Sequence, residues 1–181
     1  GGGTCEIAII CLGGIIAGRS LKVAGDSMDL DIASYVRSRY GLIIGERTAE
    51  EIKINLGSAF PGGVERDLVV RGRDIERGLP RTLKISSVAI REALATSVNT
   101  IVGAIKNTIE DAPPELASDI AERGIVLCGG SALLAGLPKL ISSETKMRVT
   151  LADDPYTTVV LGALLILEDS RLLARVKTFQ N

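Results

Sequence analysis

The sequence predicts an α/β fold in which a small α+β lobe is inserted into a larger unit that contains a sheet. Three observations support this prediction. The chain opens with two apolar β-branched runs around a Gly-Gly pair, its centre at about 28–108 mixes strand and helix patterns, and its last third alternates short strands with helices. The two flanks are therefore interpreted as halves of one α/β unit, and the centre as the inserted lobe.

Composition narrows the range of functions. The 181 residues include 21 Lys plus Arg and 22 Asp plus Glu, without the basic surplus that is typical of proteins that bind nucleic acids. There is no His, which excludes Ser-His-Asp triads, Cys-His nucleophile pairs and HExxH zinc sites. No apolar run reaches the ~20 residues of a membrane span. The hydrophobic content of 46% is therefore expected to include surface that faces a missing half or neighbouring subunits.

The three cysteines, Cys5, Cys11 and Cys128, match no CxxC spacing. We expect buried, reduced thiols in an intracellular protein rather than metal ligands or a redox pair. The chain begins at Gly1 and has no signal-peptide pattern, which is typical of a fragment or processed piece of a cytosolic protein.

The first elements follow from glycine positions and helical spacing. A hairpin is expected around Gly13-Gly14, because both glycines can adopt the positive φ of a tight turn. A helix is expected over about 27–40, and a second one over about 48–56, where Thr48 and Glu51 have the spacing of a capping box. The side chains predicted to face the core are Met28, Ile32, Tyr35 and Val36 on the first helix and Ala49, Ile52 and Leu56 on the second.

The longest helix is predicted after two strands at 67–71 and 82–85. It begins at Ser86 or Ser87 and ends near Asp111. Its apolar positions repeat at spacings of three or four residues: Ile90, Leu94, Val98, Ile101, Ile105 and Ile109.

The elements of the last third of the chain are predicted from prolines, apolar runs and helical spacing. Pro113-Pro114 begins a short helix, and the apolar run 125–127 is predicted to be a strand buried on both faces. Further helices are expected at 137–144 and 155–168, on either side of a strand at 148–151. The tail from Ser170 has only a weak helical pattern.

Two glycine turns are candidates for phosphate binding. Gly1-Gly2-Gly3-Thr4 precedes the first strand, where glycines let backbone N–H groups approach a phosphate and Thr4 adds a hydroxyl. Gly129-Gly130-Ser131 lies between a strand and a helix, where anions are favoured. A flexible chain end and a plain left-handed turn are the alternative interpretations. Neither GxxxxGK[ST] nor GxGxxG occurs, which excludes the P-loop and the dinucleotide fingerprint.

A third candidate is the charged group Glu50, Glu51 and Lys53 on the second helix. Glu50 and Lys53 lie three positions apart and therefore share a helix face. Spacing alone favours a solvated ion pair that contributes a few tenths of a kcal/mol.

Longer segments of the sequence resemble the MreB family of bacterial actin homologues. These segments cover most of the chain in order: GGGT (1–4), VAGDSMD (23–29), IGERTAEEIKINLGSAFPG (44–62), VRGRDIERGLPRTLKIS (70–86), PPELASDIAERGIVLCGGSALLAGL (113–137) and DDPYTTVVLG (153–162). The resemblance implies an actin-like ATPase fold of the ribonuclease-H-like type, of which the chain is domain II. It assigns 1–27 and 109–181 to subdomain IIA and 28–108 to the smaller, inserted subdomain IIB.

The same resemblance implies that the chain forms one wall of an ATP site, with Mg²⁺ at the phosphates and no metal-ligating residue in this half. Thr4 is then the catalytic residue, because it matches the residue that places the attacking water. The implied nucleotide-binding residues are Gly1, Gly2, Gly3 and Thr4 on the phosphate side, Glu50, Glu51, Ile52 and Lys53 along the adenine and ribose, and Gly129, Gly130, Ser131, Ala132 and Leu133 on the adenosine side.

At position 131 the sequence departs from the family pattern. The family usually has a third glycine there, and this chain has Ser131. A serine fits only if its φ is negative or if the backbone shifts.

Cell-shape maintenance is the function that the resemblance implies for the full-length parent. Its subunits would stack head to tail into ATP-dependent filaments in the cytoplasm, at the inner face of the cell membrane, and organise peptidoglycan synthesis with wall-synthesis and membrane proteins. ATP hydrolysis is expected of that parent but not of this chain alone, because domain I supplies the first phosphate loop, the acidic residue that activates water and the membrane-contacting elements. The alternatives are another ATPase of the superfamily, such as a sugar kinase or an Hsp70-type ATPase, and a truncated lobe without activity of its own.

Overall fold

The computed structural model describes residues 1–178, which form seven α-helices, seven strands and two short 3-10 helices at Pro114–Leu116 and Gly130–Leu133. The strands are β1 (Cys5–Cys11), β2 (Gly14–Leu21), β3 (Leu42–Ile43), β4 (Asp67–Asp74), β5 (Pro80–Ser86), β6 (Ile125–Leu127) and β7 (Val149–Leu151). The helices are α1 (Gly25–Tyr40), α2 (Glu46–Leu56), α3 (Ser87–Glu110), α4 (Ala117–Arg123), α5 (Leu137–Thr145), α6 (Thr158–Glu168) and α7 (Ser170–Thr178). The predicted weak helix of the tail is thus α7, and its last three residues lie outside the described part.

The strands form three small sheets. β1 pairs with β2 and the order β3-β4-β5 forms a second sheet, both antiparallel, while β6 and β7 pair in parallel. Sheets and helices thus mix along the whole chain, which confirms the predicted α/β class.

The hairpin between β1 and β2 turns one residue earlier than predicted. Cys11 pairs with Gly14, so the two loop residues are Leu12 and Gly13, with φ of 50° and 77°. The prediction of a Gly13-Gly14 turn was wrong because Gly14 already belongs to β2. Leu12, which is 98% exposed, takes the left-handed conformation at the tip.

α3 is the central helix of the core. It packs against β1, β2, α1 and α2, and its predicted apolar stripe is buried from Ile90 to Ile105. Ser86 caps its N-terminus, since the hydroxyl oxygen accepts a hydrogen bond from the Ala89 N–H at 3.3 Å. By length and composition α3 could cross a bilayer, but its apolar face lies in this core, as expected of a core helix.

α1 and α2 pack on α3 through the side chains that their spacing predicted. Met28, Ile32 and Val36 of α1 are buried, as are Ala49, Ile52 and Leu56 of α2. The predicted capping box on α2 was wrong, because the helix begins at Glu46 and Thr48 lies inside its first turn. The N-cap is Gly45, which has no side chain to accept a hydrogen bond.

β6 is more open than its apolar run predicted. Val126 is 66% exposed, so the prediction of a strand buried on both faces was wrong. α5 packs on β7, whereas the outward face of β6 has no covering element among the described residues. Cys5 and Cys11 are partly buried but Cys128, directly after β6, is exposed, which corrects the expectation of three buried thiols.

Two elements, α6 and the β1–β2 hairpin, each expose four or more apolar side chains. α6 begins at Thr158, three residues later than predicted, and its exposed residues include Val159, Val160, Leu161, Leu164, Leu165 and Leu167. The β1–β2 hairpin exposes Ile10, Leu12, Ile15 and Ile16. Other exposed apolar side chains, such as Leu30, Val69 and Val126, are spread over the remaining described elements.

The division into 1–27 plus 109–181 and 28–108 stays a prediction. α3 falls almost wholly in the predicted inserted lobe, yet it packs on β1 and β2 of the flank as well as on α1 and α2. Any boundary between the two parts therefore runs along a helix that both share.

Alanine substitutions on the buried and on the exposed face of α3 should show how far the stability of the fold depends on this helix. Leu94→Ala is expected to lower the free energy of unfolding by about 2–5 kcal/mol, because Leu94 is fully buried. Val88→Ala on the same helix should cost less than about 1 kcal/mol, because Val88 is 43% exposed. Urea unfolding followed by circular dichroism measures both, and equal losses would contradict the central role of α3.

Candidate functional site

Four segments that are far apart in the sequence meet at one place. They are the glycine turn 1–3, the first turn of α1, Lys53 on α2 and the turn 129–131. The Gly25 N–H donates a hydrogen bond to the Gly1 carbonyl at 3.2 Å, and the Asp26 N–H donates to the Gly2 carbonyl at 2.9 Å. The glycine turn is therefore joined to the N-terminus of α1 by its backbone.

The turn 129–131 contacts the same glycine turn from another side. The Ser131 hydroxyl donates a hydrogen bond to the Gly1 carbonyl at 3.1 Å, and Gly129 adopts a φ of 85°. Ser131 is not among the residues with positive φ. The serine therefore fits because its φ is negative, which is one of the two conditions expected from the sequence. The two predicted glycine turns thus form one continuous surface.

The packing at this junction requires residues without side chains. A Cβ on Gly2 would lie 2.7 Å from Asp26 Oδ1, and a Cβ on Gly25 would lie 3.1 Å from Ser131 Oγ. A Cβ on Gly129 would lie 3.2 Å from the Gly1 nitrogen. Because distances this short are tighter than ordinary contacts, the glycines permit a close approach of the three backbones.

The two turns keep several N–H groups unpaired. Among the described residues, the amides of Gly2, Gly3 and Thr4 have no backbone or side-chain acceptor, and neither do those of Gly130 and Ser131. Gly1, Gly2, Gly3 and Thr4 are also exposed. Consecutive unpaired N–H groups can donate to the oxygens of a phosphate.

The turn 129–131 lies at the carboxyl end of the parallel pair β6–β7, where α/β proteins bind their ligands. The Gly129 N–H donates to the Pro155 carbonyl at 2.7 Å, which ties this turn to the loop after β7. A Cβ on Gly130 would lie 2.9 Å from Tyr156 Cε1. Tyr156 therefore packs on Gly130 and leaves 68% of its surface exposed beside the turn.

Lys53 forms a different ion pair from the predicted one. Its Nζ lies 2.7 Å from Asp29 Oδ2 and 3.0 Å from the Gly25 carbonyl, and the two charged side chains are only 15–16% exposed. The prediction of a solvated Glu50–Lys53 pair was wrong, because Lys53 faces α1 rather than solvent. The pair links α2 to the first turns of α1, whose Gly25 N–H also bonds to the Gly1 carbonyl.

Burial is the largest influence on Asp29. It raises the pKa of this carboxyl, and the Lys53 ammonium opposes the rise. Glu50 and Asp26 add to the rise through their negative charges, so three carboxylates lie near one another beside the glycine turn. Asp29 Oδ1 is buried and has no hydrogen-bond partner among the described residues.

Of the remaining residues that were predicted to bind nucleotide, some lie on the surface and others in the core. Glu50, Glu51 and Leu133 are exposed, and Glu51 accepts a hydrogen bond from Arg47. Ile52 and Ala132 are buried, so their side chains belong to the core and only their backbone can line a ligand. Within residues 1–178, no group of three or more His, Cys, Asp or Glu side chains lies close enough to hold a metal ion.

Four residues at the site were missed by the sequence reasoning: Gly25, Asp26, Asp29 and Tyr156. A glycine followed by an aspartate at a helix start is a signal for Gly25 and Asp26, because acidic residues favour helix N-termini. The roles of Asp29 and Tyr156 depend on partners in distant segments, which spacing within one helix or loop does not reveal.

Comparison with known proteins identifies the class of this fold. The MreB/Mbl protein family matches residues 1–175. The cell shape-determining protein Mbl of Bacillus subtilis is 44% identical over 98% of this chain and 53% of its own length. The cell shape-determining protein MreB of Escherichia coli is 48% identical over 90% of this chain and 47% of its own length.

Solved structures point to the same class of fold as the sequence comparisons. MreB 5 of Spiroplasma citri bound to AMPPNP has a TM-score of 0.89 and 37% identity over 98% of this chain and 53% of that chain. The same protein bound to ADP has a TM-score of 0.87 and 40% identity over 91% of this chain and 50% of that chain. The fold is therefore that of the actin-like ATPases, as expected.

The chain belongs to the MreB/Mbl family. It spans about half the length of the curated relatives that it matches.

Replacement of Lys53 should destabilise the fold, because the partly buried Asp29 carboxylate would then have no partner. Lys53→Met is expected to lower the free energy of unfolding by roughly 2–4 kcal/mol at neutral pH, because the carboxylate loses its partner. The pKa of Asp29 is already raised, so the folded chain binds this proton at a higher pH than the unfolded chain does. The loss should therefore shrink as the pH falls through the raised pKa.

Lys84→Met is the matched control. Lys84 lies 2.9 Å from Asp67, but these side chains are 68% and 45% exposed, so the expected loss is below about 1 kcal/mol. Urea unfolding at neutral and mildly acidic pH compares the variants. A Lys53→Met loss that is no larger than the control, or that grows on acidification, would contradict the role of the pair.

Proposed function

We propose that this chain forms one wall of an ATP site in a filament subunit of the MreB/Mbl type. The observation that carries the proposal is the junction of two glycine turns at the carboxyl end of a parallel strand pair. Within residues 1–178, the amides of Gly2, Gly3, Thr4, Gly130 and Ser131 have no acceptor at this junction. The nucleotides bound to the similar MreB 5 structures support the same ligand class.

The nucleotide would lie across the two turns. The N–H groups of Gly2 and Gly3 and the Thr4 hydroxyl are proposed to face the phosphates, and the 129–133 segment the adenosine. Glu50, Glu51 and Lys53 would flank the adenine and ribose, with Ile52 taking part through its backbone. Because the described residues offer no metal cluster, Mg²⁺ would be held mainly by phosphate oxygens and water.

Thr4 is proposed to orient the water that attacks the terminal phosphate. It is exposed beside the glycine turn, and its hydroxyl has no partner among the described side chains and backbone groups. Hydrolysis also needs a group that activates this water and a second phosphate loop. Both are proposed to come from a first half such as the longer relatives contain, so we expect no turnover from this chain alone.

Filament formation in cell-shape maintenance is the proposed role of the full-length protein. The exposed apolar surface on α6 and the β1–β2 hairpin supports contacts with a domain I and with other subunits. Head-to-tail contacts between identical subunits are heterologous and build open filaments. We place these filaments in the cytoplasm at the inner face of the membrane, with wall-synthesis proteins as partners.

Nucleotide binding to this chain is directly testable by NMR. Addition of ADP with Mg²⁺ is expected to shift the amide signals of 2–4, 25–29 and 129–133, because these segments form the junction. The signals of the β4–β5 hairpin, residues 67–86, are the internal control and should not move. Shifts confined to the hairpin, or no shifts at millimolar nucleotide, would refute the proposed site.

Filament formation is tested by sedimentation of two proteins with and without Mg-ATP. One is this chain, and the other is the same chain joined to the first half of Mbl from Bacillus subtilis. We expect only the joined protein to pellet with Mg-ATP, because it has both walls of the site. A joined protein that hydrolyses ATP and never pellets would instead favour a member of the superfamily that does not polymerise.

A further inference from the structure

The Ser131 hydroxyl makes a side-chain hydrogen bond between the two glycine turns. Its acceptor is the carbonyl of Gly1, 130 positions away in the sequence, at 3.1 Å. The same carbonyl accepts the Gly25 N–H at 3.2 Å. One oxygen is therefore held from two sides, by the adenosine-side turn and by the first turn of α1.

Fixing this oxygen also fixes an N–H group. The Gly1 carbonyl and the Gly2 N–H belong to one planar peptide unit, in which the two groups point in opposite directions. The Gly2 N–H has no acceptor among the described residues. The Ser131 bond therefore sets the direction of a free donor on the phosphate side, although Ser131 itself lies on the adenosine side.

The space around the bond is narrow. A Cβ on Gly25 would come within 3.1 Å of Ser131 Oγ and 3.4 Å of the Gly1 oxygen. The hydroxyl thus occupies a gap that the absence of a side chain at Gly25 leaves open. Without the hydroxyl, the Gly1 carbonyl would keep only the longer bond from Gly25.

We propose that Ser131 is a positioning residue that aims the Gly2 N–H at the phosphates of a bound nucleotide. The proposal rests on the proposed nucleotide site and adds a specific consequence. Ser131 contributes to the affinity for phosphorylated ligands through the peptide of Gly1 and Gly2. It contributes little to the affinity for adenosine, which carries no phosphate.

The test is titration of this chain with ADP plus Mg²⁺ and with adenosine, followed by NMR. Ser131→Ala should raise the Kd for ADP about two- to tenfold, the range of one hydrogen bond, and leave the Kd for adenosine nearly unchanged. Ser131→Thr keeps the hydroxyl and should restore the ADP affinity. Ser142→Ala removes a comparable bond, from the Ser142 hydroxyl to the Met147 carbonyl at 2.7 Å, and should change neither Kd.

Two outcomes would overturn the proposal. An equal loss of ADP and adenosine affinity in Ser131→Ala would mean that the serine only supports its own turn. Unchanged ADP affinity would mean that the Gly2 N–H keeps its direction without the hydroxyl.

A measurement without ligand separates this proposal from the proposed function. The ¹³C signal of the Gly1 carbonyl, detected through the Gly2 amide, should move in Ser131→Ala and stay in place in Ser142→Ala. If the wild-type chain bound neither ligand, the proposed function would fail and the positioning proposal with it, even if the carbonyl signal moved. If the wild-type chain bound ADP and the carbonyl signal did not move, the positioning proposal alone would fail.

Discussion

Two backbone hydrogen bonds, from the amides of Gly25 and Asp26 to the carbonyls of Gly1 and Gly2, hold the candidate site together. A helix N-terminus needs acceptors for its first amides, and α1 has no capping side chain. The glycine turn supplies these acceptors with its carbonyls, which leaves its own amides free for a ligand. Since α1 is anchored in the core by Met28, the position of the turn depends on core packing.

The Asp29–Lys53 pair extends this dependence to α2. A partly buried ion pair is weak evidence for stability, because desolvation offsets much of the attraction between the charges. Its clearer effect is geometric. Lys53 bonds to Asp29 and to the Gly25 carbonyl together, so it ties α2 to the start of α1. The segment proposed to flank the adenine is thereby fixed relative to the segment proposed to hold the phosphates.

Features that depend on spacing within one helix or turn could be predicted from the sequence. Contacts between distant segments could not, because tertiary packing determines them. The apolar stripe of α3 and its start at Ser86 or Ser87 follow from residues within one helix, and the structure confirms the start at Ser87 and the burial of the stripe from Ile90 to Ile105. The two glycine turns were predicted one at a time, but their contact through Ser131 and Gly1 joins residues that are 130 positions apart in the sequence. Lys53 was assigned to Glu50 because the two residues share a face of one helix, whereas its partner Asp29 lies on another helix.

The charges around the junction determine what a nucleotide would meet at the proposed site. Asp26, Asp29 and Glu50 carry negative charge near one another, and the ammonium of Lys53 is already bound to Asp29. A polyphosphate approaching this proposed wall therefore meets carboxylates, and the unpaired amides of the two turns are groups that attract it. Neutral N–H dipoles near solvent contribute modestly to affinity. Tight binding of a nucleotide then requires further positive charge, from Mg²⁺ and from an opposing wall, so the electrostatics of this chain favour a site that closes between two halves.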